Sequence, residues 1–150
     1  MVRSAEDENE LDRLEVGSAP GEAGVISVEA VVPLYPTEDS AAVGMAISNM
    51  FPTMDLEVAG CQMTGRAEGP SALARFRRRL REMCIRDTAR TQLGRGMVDG
   101  TLVFCLNKQS AYARVPNFST GNPPLGDIDV SVTAEDLGPL VDWLCELDDD

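Results

Sequence analysis

Thr101-Leu102-Val103-Phe104-Cys105-Leu106 is an almost wholly apolar run, β-branched and aromatic in character. It reads as a strand apolar on both faces, the pattern of a central strand in a sheet. Working outward, Asn107-Lys108-Gln109 interrupts it with a polar turn or bulge, and residues 111–115 read as a second strand. Residues 117–126 are a loop rich in Gly and Pro, followed by a short strand over 128–132. Thr133 or Ala134 then leads into a last helix, with Leu137, Leu140, Val141, Leu144 and Leu147 facing inward and Trp143 on its flank.

Upstream of the run, Gly94 and Gly96 stop a helical stretch over about 85–93. Before that, Leu73, Phe76, Leu80 and Met83 recur at spacings of three and four, which predicts a helix over 72–83 with one stripe toward the core. Strands are expected near 54–59 and 62–65. A helix opens at Thr37, read as its N-cap, carries Val43, Ile47 and Met50 inward, and closes at Phe51-Pro52. The first strand is Val25-Ile26-Ser27-Val28-Glu29-Ala30-Val31-Val32, ended by Pro33 and Pro36. Strands and helices alternate without a regular βαβ rhythm. The expected class is therefore α+β, a mixed or antiparallel sheet with helices packed on one face.

Charge is the second strong signal. Residues 66–95 hold nine arginines against three acids, a net +6, in a chain whose formal net charge is −12. On the helix over 72–83, Arg75, Arg78 and Arg79 fall opposite the apolar stripe, with Arg77 and Arg81 at its margins. Arg86 and Arg90 follow on the next helix. A basic island in an acidic protein marks a surface for an anion. Guanidinium forks suit phosphate oxygens in particular, gripping them two at a time. Three readings stand at this point. The arginines pair with the protein's own carboxylates or solvate a helix face, they hold RNA phosphates, or they dock an acidic partner or a second copy of the chain. Acids of the last helix lying over the arginines would exclude the RNA reading. Lys108 and Gln109 offer donors for a second RNA contact. Phe118, Tyr112 and Tyr35 are available for base stacking or for the core.

Composition narrows the chemistry. With 150 residues the chain is one domain's worth, and no stretch has the ~20 apolar residues of a membrane helix. There is no histidine, so the usual neutral-pH base and Cys/His zinc sites are excluded. Cys61, Cys84, Cys105 and Cys145 form no C-x-x-C pair and read as buried reduced thiols. Asp127 and Asp129 have no third ligand beside them. No cofactor, metal or catalytic role is expected, and the N-terminus shows no secretory signal, which points to the cytoplasm. Acids outnumber bases 25 to 13, and all but one of the bases are arginine, which reads as adaptation to a salt-rich cytoplasm. Residues 1–24 read as a disordered acidic tail, 25–147 as the single folded domain, and 148–150 as an acidic end.

Several segments carry a resemblance. Leu106-Asn107-Lys108-Gln109-Ser110-Ala111-Tyr112, Val115-Pro116-Asn117-Phe118 and Pro124-Leu125-Gly126-Asp127-Ile128 resemble an uncharacterised archaeal family of predicted RNA-binding proteins. Val28-Glu29-Ala30 with Tyr35-Pro36-Thr37-Glu38-Asp39 resembles that family's opening, and Arg86-Asp87-Thr88-Ala89-Arg90 its middle. The likeness runs from about residue 25 to 147. It implies a fold similar to the large-subunit ribosomal protein that binds five-S ribosomal RNA, and a haloarchaeal source agrees with the charge pattern. The expected function is non-catalytic RNA binding, with Arg75, Arg78, Arg79, Arg86 and Arg90 on phosphates and Lys108 and Gln109 as the second contact. The alternative is a protein-interaction module that uses the arginine face.

Overall fold

Period-two alternation puts Val28, Ala30 and Val32 on one face of the first strand, and the computed structural model, which describes residues 5–17, 19, 25–119 and 127–145, buries all three. In chain order the elements are helix α1 (Ala5–Val16), strand β1 (Ser27–Pro33), α2 (Ser40–Met50), β2 (Asp55–Ala59), β3 (Gln62–Glu68) and, after a 3₁₀ turn at Pro70–Ala72, α3 (Ala74–Glu82). Then come α4 (Arg86–Arg95), β4 (Met97–Val98), β5 (Thr101–Asn107), α5 (Lys108–Tyr112), β6 (Asp127–Thr133) and α6 (Leu137–Leu144). The six strands form one sheet in the order β2-β3-β1-β6-β5-β4, and every neighbouring pair is antiparallel. The α+β class and the one-sided helix layer are as the sequence implies.

Register explains the core. Gly65 of β3 lies opposite Ala30 of β1, Ala30 opposite Val130 of β6, and Val130 opposite Phe104 of β5. Side-chain size rises along that row, and Phe104 stacks on Phe76 of α3 with centroids 5.3 Å apart. Phe51 and Phe118 close an aromatic cluster on Phe76 at 5.4 and 6.2 Å. Phe118 thus belongs to the core, whereas Tyr35 and Tyr112 are exposed.

Several local expectations are corrected. The Thr101–Leu106 strand buries only Leu102, Phe104 and Leu106, while Val103 faces out on the uncovered side of the sheet. Residues 111–115 form no strand. Asn107 accepts the Ser110 amide hydrogen as an N-cap at 2.8 Å and starts α5, which ends in a turn with Arg114 at φ 67. The cap of α2 is Asp39 rather than Thr37, and that of α6 is Asp136. Gly94 lies inside α4, Met83 is exposed, and Trp143 is buried. Of the thiols, Cys145 is buried and Cys105 half-buried, but Cys61 and Cys84 are exposed. Burial, a hydrogen bond to Asp129 and the charges of Asp129 and Asp127 push the Cys105 thiol up to about 12, so it stays protonated. Most of the segment 18–24, and Leu147 with the acidic end, lie outside the described residues.

One backbone contact fixes the α4–β4 corner. The Gly96 carbonyl accepts the Val103 amide at 2.9 Å, and a Cβ built on Gly96 would lie 1.9 Å from the Val103 carbonyl oxygen. The obstacle is main chain, which cannot rotate away as a side-chain tip would. Gly96→Ala is expected to cost about 1–3 kcal/mol, as overpacking does, read as a lower urea midpoint with unchanged slope.

Candidate nucleic-acid interface

Residues 5–16 of the acidic N-terminal stretch, expected to be disordered, form helix α1, which lies on the arginines. Glu8, Asp12 and Glu15 sit at i, i+4 and i+7, which puts three carboxylates on one face of α1. A twelve-residue helix is marginal on its own. Charge dominates the seam that holds it: Glu15 is buried, whereas Leu14 is 69% exposed and Leu11 and Val16 are only half-buried.

The arginines converge on that face from α3. Arg75 donates to Asp12 at 3.0 Å and to Asn9 at 3.2 Å. Arg78 donates to Asp12 at 3.2 Å, to Glu8 at 3.3 Å and to Glu82 one turn on at 3.3 Å. Arg77 donates to the Trp143 carbonyl at 2.7 Å and to Glu15 at 2.6 Å, with its guanidinium 5.3 Å from the Trp143 ring centroid. Arg81 holds Glu15 with both terminal nitrogens at 2.8 and 2.9 Å. Of the three readings the sequence leaves open, the contacts match pairing with the protein's own carboxylates, and Arg75, Arg78 and Arg79 do not line an open helix side. Arg75, Arg77, Arg78 and Arg79 are instead all buried. Among the described residues the covering carboxylates come from α1, while α6 supplies the Trp143 carbonyl and ring to Arg77 and Asp142 to Arg90.

The fit is incomplete at Arg79. Its Nε donates to the Asn49 carbonyl at 2.7 Å, but one terminal nitrogen is buried without a hydrogen-bond partner among the described residues. The nearest carboxylate to that nitrogen is Glu8, at 3.6 Å, too long for a hydrogen bond. Among the described residues, Arg75, Arg77, Arg78, Arg79 and Arg81 pair with Glu8, Asp12, Glu15 and Glu82. Burial, and then the like charges of Arg75 and Arg78, lower the Arg79 pKa against the pull of Glu8. For Glu8, burial raises the pKa, but Arg79, Arg75 and Arg78 outweigh it and hold the carboxyl below its ordinary range. A depressed carboxylate stabilises the docked state above its ordinary pKa, and that contribution fades as pH falls through the depressed value.

The other predicted residues lie apart from this cradle. Arg90 on α4 is exposed and pairs with Asp142 at 3.0 Å, and Arg86 is half-buried at the start of the same helix. Lys108 is buried, a correction to its reading as an open RNA contact. Among the described residues its ammonium donates to the Pro33 carbonyl at 2.9 Å and to both Glu38 oxygens at 3.0 Å. Gln109 is exposed beside it. Asn49, which sequence reasoning missed, joins the two regions. Its carbonyl takes Arg79, and its amide donates to the Ala111 and Tyr112 carbonyls of α5 at 3.0 Å. The open sheet face holds a cleft of about 450 Å³ lined by Glu29, Arg66, Glu68, Ser131 and Thr133, in which Arg66 is paired to Glu29 at 3.1 Å. That leaves it no spare positive charge. Among the described residues no three acids or thiols come together as metal ligands, and no helix is long and apolar enough to cross a membrane.

An antiparallel α+β domain with an arginine helix packed on its covered face is the class defined so far, and a family model described as RNA binding matches it over residues 27–134. The chain belongs to the UPF0201 family. It is 37% identical to the UPF0201 protein of Pyrobaculum aerophilum over 124 residues, 78% of this chain and 87% of that one. It is 36% identical to the UPF0201 protein of Thermococcus onnurineus over 123 residues, 79% and 89% of the two chains. The solved structure of the UPF0201 protein from Methanococcus jannaschii superposes with a TM-score of 0.71 at 29% identity, covering 81% of this chain and 94% of that one. A second UPF0201 crystal structure gives 0.68 at 32% identity, covering 79% and 89%.

Proposed function

We propose that this protein binds RNA without catalysis, and that Arg75, Arg78 and Arg79 hold the phosphates, with Arg86 and Arg90 extending the track along α4. The observation that carries this reading is the cradle itself. One buried Arg79 nitrogen has no hydrogen-bond acceptor among the described residues, and the Glu8 carboxylate stops at 3.6 Å from it. Unsatisfied buried donors are costly, so the face is built to take more anion than it holds in this state. The family's description supplies the class of anion, and no catalytic name attaches to the relatives. Gln109 offers a second, exposed donor. We read the acid excess as salt adaptation. At ~1 M salt the screening length is about 3 Å, so a working contact must be close and bidentate, which arginine provides. A second reading has one observation behind it: α1 shows that this face accepts an acidic helix, which a partner protein could also supply.

The test is titration of a fluorescent pool of RNA hairpins at several salt concentrations, with the native chain and with Arg75, Arg78 and Arg79 all changed to Ser. Binding by the native chain, strongly weakened in the triple variant with a salt slope shallower by about 2 for three lost contacts, is expected. Equal binding by both chains removes α3 from the site.

A further inference from the structure

The phosphates proposed above would have to occupy space that α1 already fills. We propose that α1 is a built-in acidic competitor, holding Glu8 and Asp12 on the arginine cradle where an RNA strand's phosphates would lie and giving way to them. This rests on the RNA reading and adds the regulation of the same site.

Three observations carry it. The first is the nature of the seam. An apolar seam would be held by buried surface, at roughly 25 cal/mol per Å², and no anion could substitute for it. Here Asp12 meets Arg75 and Arg78 at 3.0 and 3.2 Å and Glu8 meets Arg78 at 3.3 Å, while Leu14 is left outside and Leu11 and Val16 are only half-buried. A phosphate oxygen makes the same charge-assisted contact as a carboxylate oxygen, so exchange of one for the other is nearly balanced.

The second is imperfect seating. A cavity of about 400 Å³ lies along the flank of α1, lined by Asn9, Asp12, Arg13, Val16, Pro52 and Thr53. Glu8 stops 3.6 Å short of the Arg79 nitrogen. A competitor that leaves a donor unmet is weaker than a ligand that meets it.

The third is placement. The cradle at 74–82 lies inside the family-matched residues 27–134, and α1 at 5–16 lies ahead of them. The cover is thus added to the chain outside the shared domain. Its tether makes it an intramolecular ligand at high effective concentration, against which RNA must compete.

The experiment uses the full chain and the same hairpin pool. In Glu8→Gln/Asp12→Asn the Glu15 contacts to Arg77 and Arg81 stay in place. This variant is expected to bind RNA at least about tenfold more tightly at moderate salt, the equivalent of about 1.4 kcal/mol of competition removed. Its salt slope should also steepen, by up to about 0.7 per carboxylate, because salt no longer loosens the cover while it weakens the RNA contact. Independently of any substitution, hydrogen exchange on the native chain should show the α1 amides losing protection when RNA is added. Equal affinity in the two chains, or α1 amides that stay protected in the complex, overturns the competitor and leaves the RNA reading standing. No RNA binding by either chain overturns the RNA reading, and the competitor falls with it.

Discussion

Lys108→Met is expected to lower the free energy of unfolding by about 3–5 kcal/mol, the cost of stranding one member of a buried ion pair. The Lys108 side chain is 6% exposed and the Glu38 side chain 10%. Between them they fasten the end of β1, through the Pro33 carbonyl, to the β5–α5 junction. Glu38 also accepts the Tyr35 amide hydrogen at 3.0 Å, and the Tyr35 ring lies 5.4 Å from the Lys108 ammonium. Methionine fills much of the same volume and carries no charge, so the loss isolates the abandoned carboxylate. Adding Glu38→Gln should recover much of it, since the pair is costly mainly when half-broken. Urea unfolding of both variants measures this. RNA affinity of the folded Lys108→Met protein should match that of the native chain. A protein of native stability with weakened RNA binding would instead restore Lys108 as an RNA contact.

Legibility in the sequence follows the range of the interaction. The inward row of β1 and the Leu73, Phe76, Leu80 stripe show up because a single segment carries its own period, and both are buried as that period predicts. The Asn107 cap was legible in principle, because an Asn three residues before the amide it accepts is a local pattern. The sequence reading has a turn or bulge at 107–109 and a strand at 111–115, where the structure has α5 and its closing turn. Val103 misled because a β-branched residue fits a pleated surface whether or not a helix covers it. The arginine cradle was visible as charge but not as geometry. Arg75 and Asp12 are 63 residues apart, and Lys108 and Glu38 are 70 apart. Nothing periodic links such segments. The one available clue was the spacing of Glu8, Asp12 and Glu15, which makes an acidic face on any helix that forms there.

Arg78→Glu separates a face that binds RNA from one that merely seats α1. The native guanidinium is almost wholly buried, 2% exposed, and reaches Glu8, Asp12 and Glu82 together. A glutamate at that position faces three carboxylates at close range, and like charges repel strongly where water is scarce. Detachment of α1 is expected, seen as lost hydrogen-exchange protection over 5–16 and a drop in helical circular dichroism, because the freed segment is too short to stay helical alone. Unfolding of the domain should be affected less, since Phe76 and Leu80 keep α3 on the sheet from its other side. RNA affinity should nevertheless fall by about 10–100-fold, the worth of a charge-assisted contact of about 1.5–3 kcal/mol, with repulsion added. Glu8→Gln/Asp12→Asn takes the competing charge off the same arginines, with Glu15 still on Arg77 and Arg81, and is expected to move affinity the other way. A face that only seats the helix would give no change in RNA affinity in either variant, so opposite signs from two substitutions that both break the Arg78 contacts to Glu8 and Asp12 would place the phosphates on the arginines.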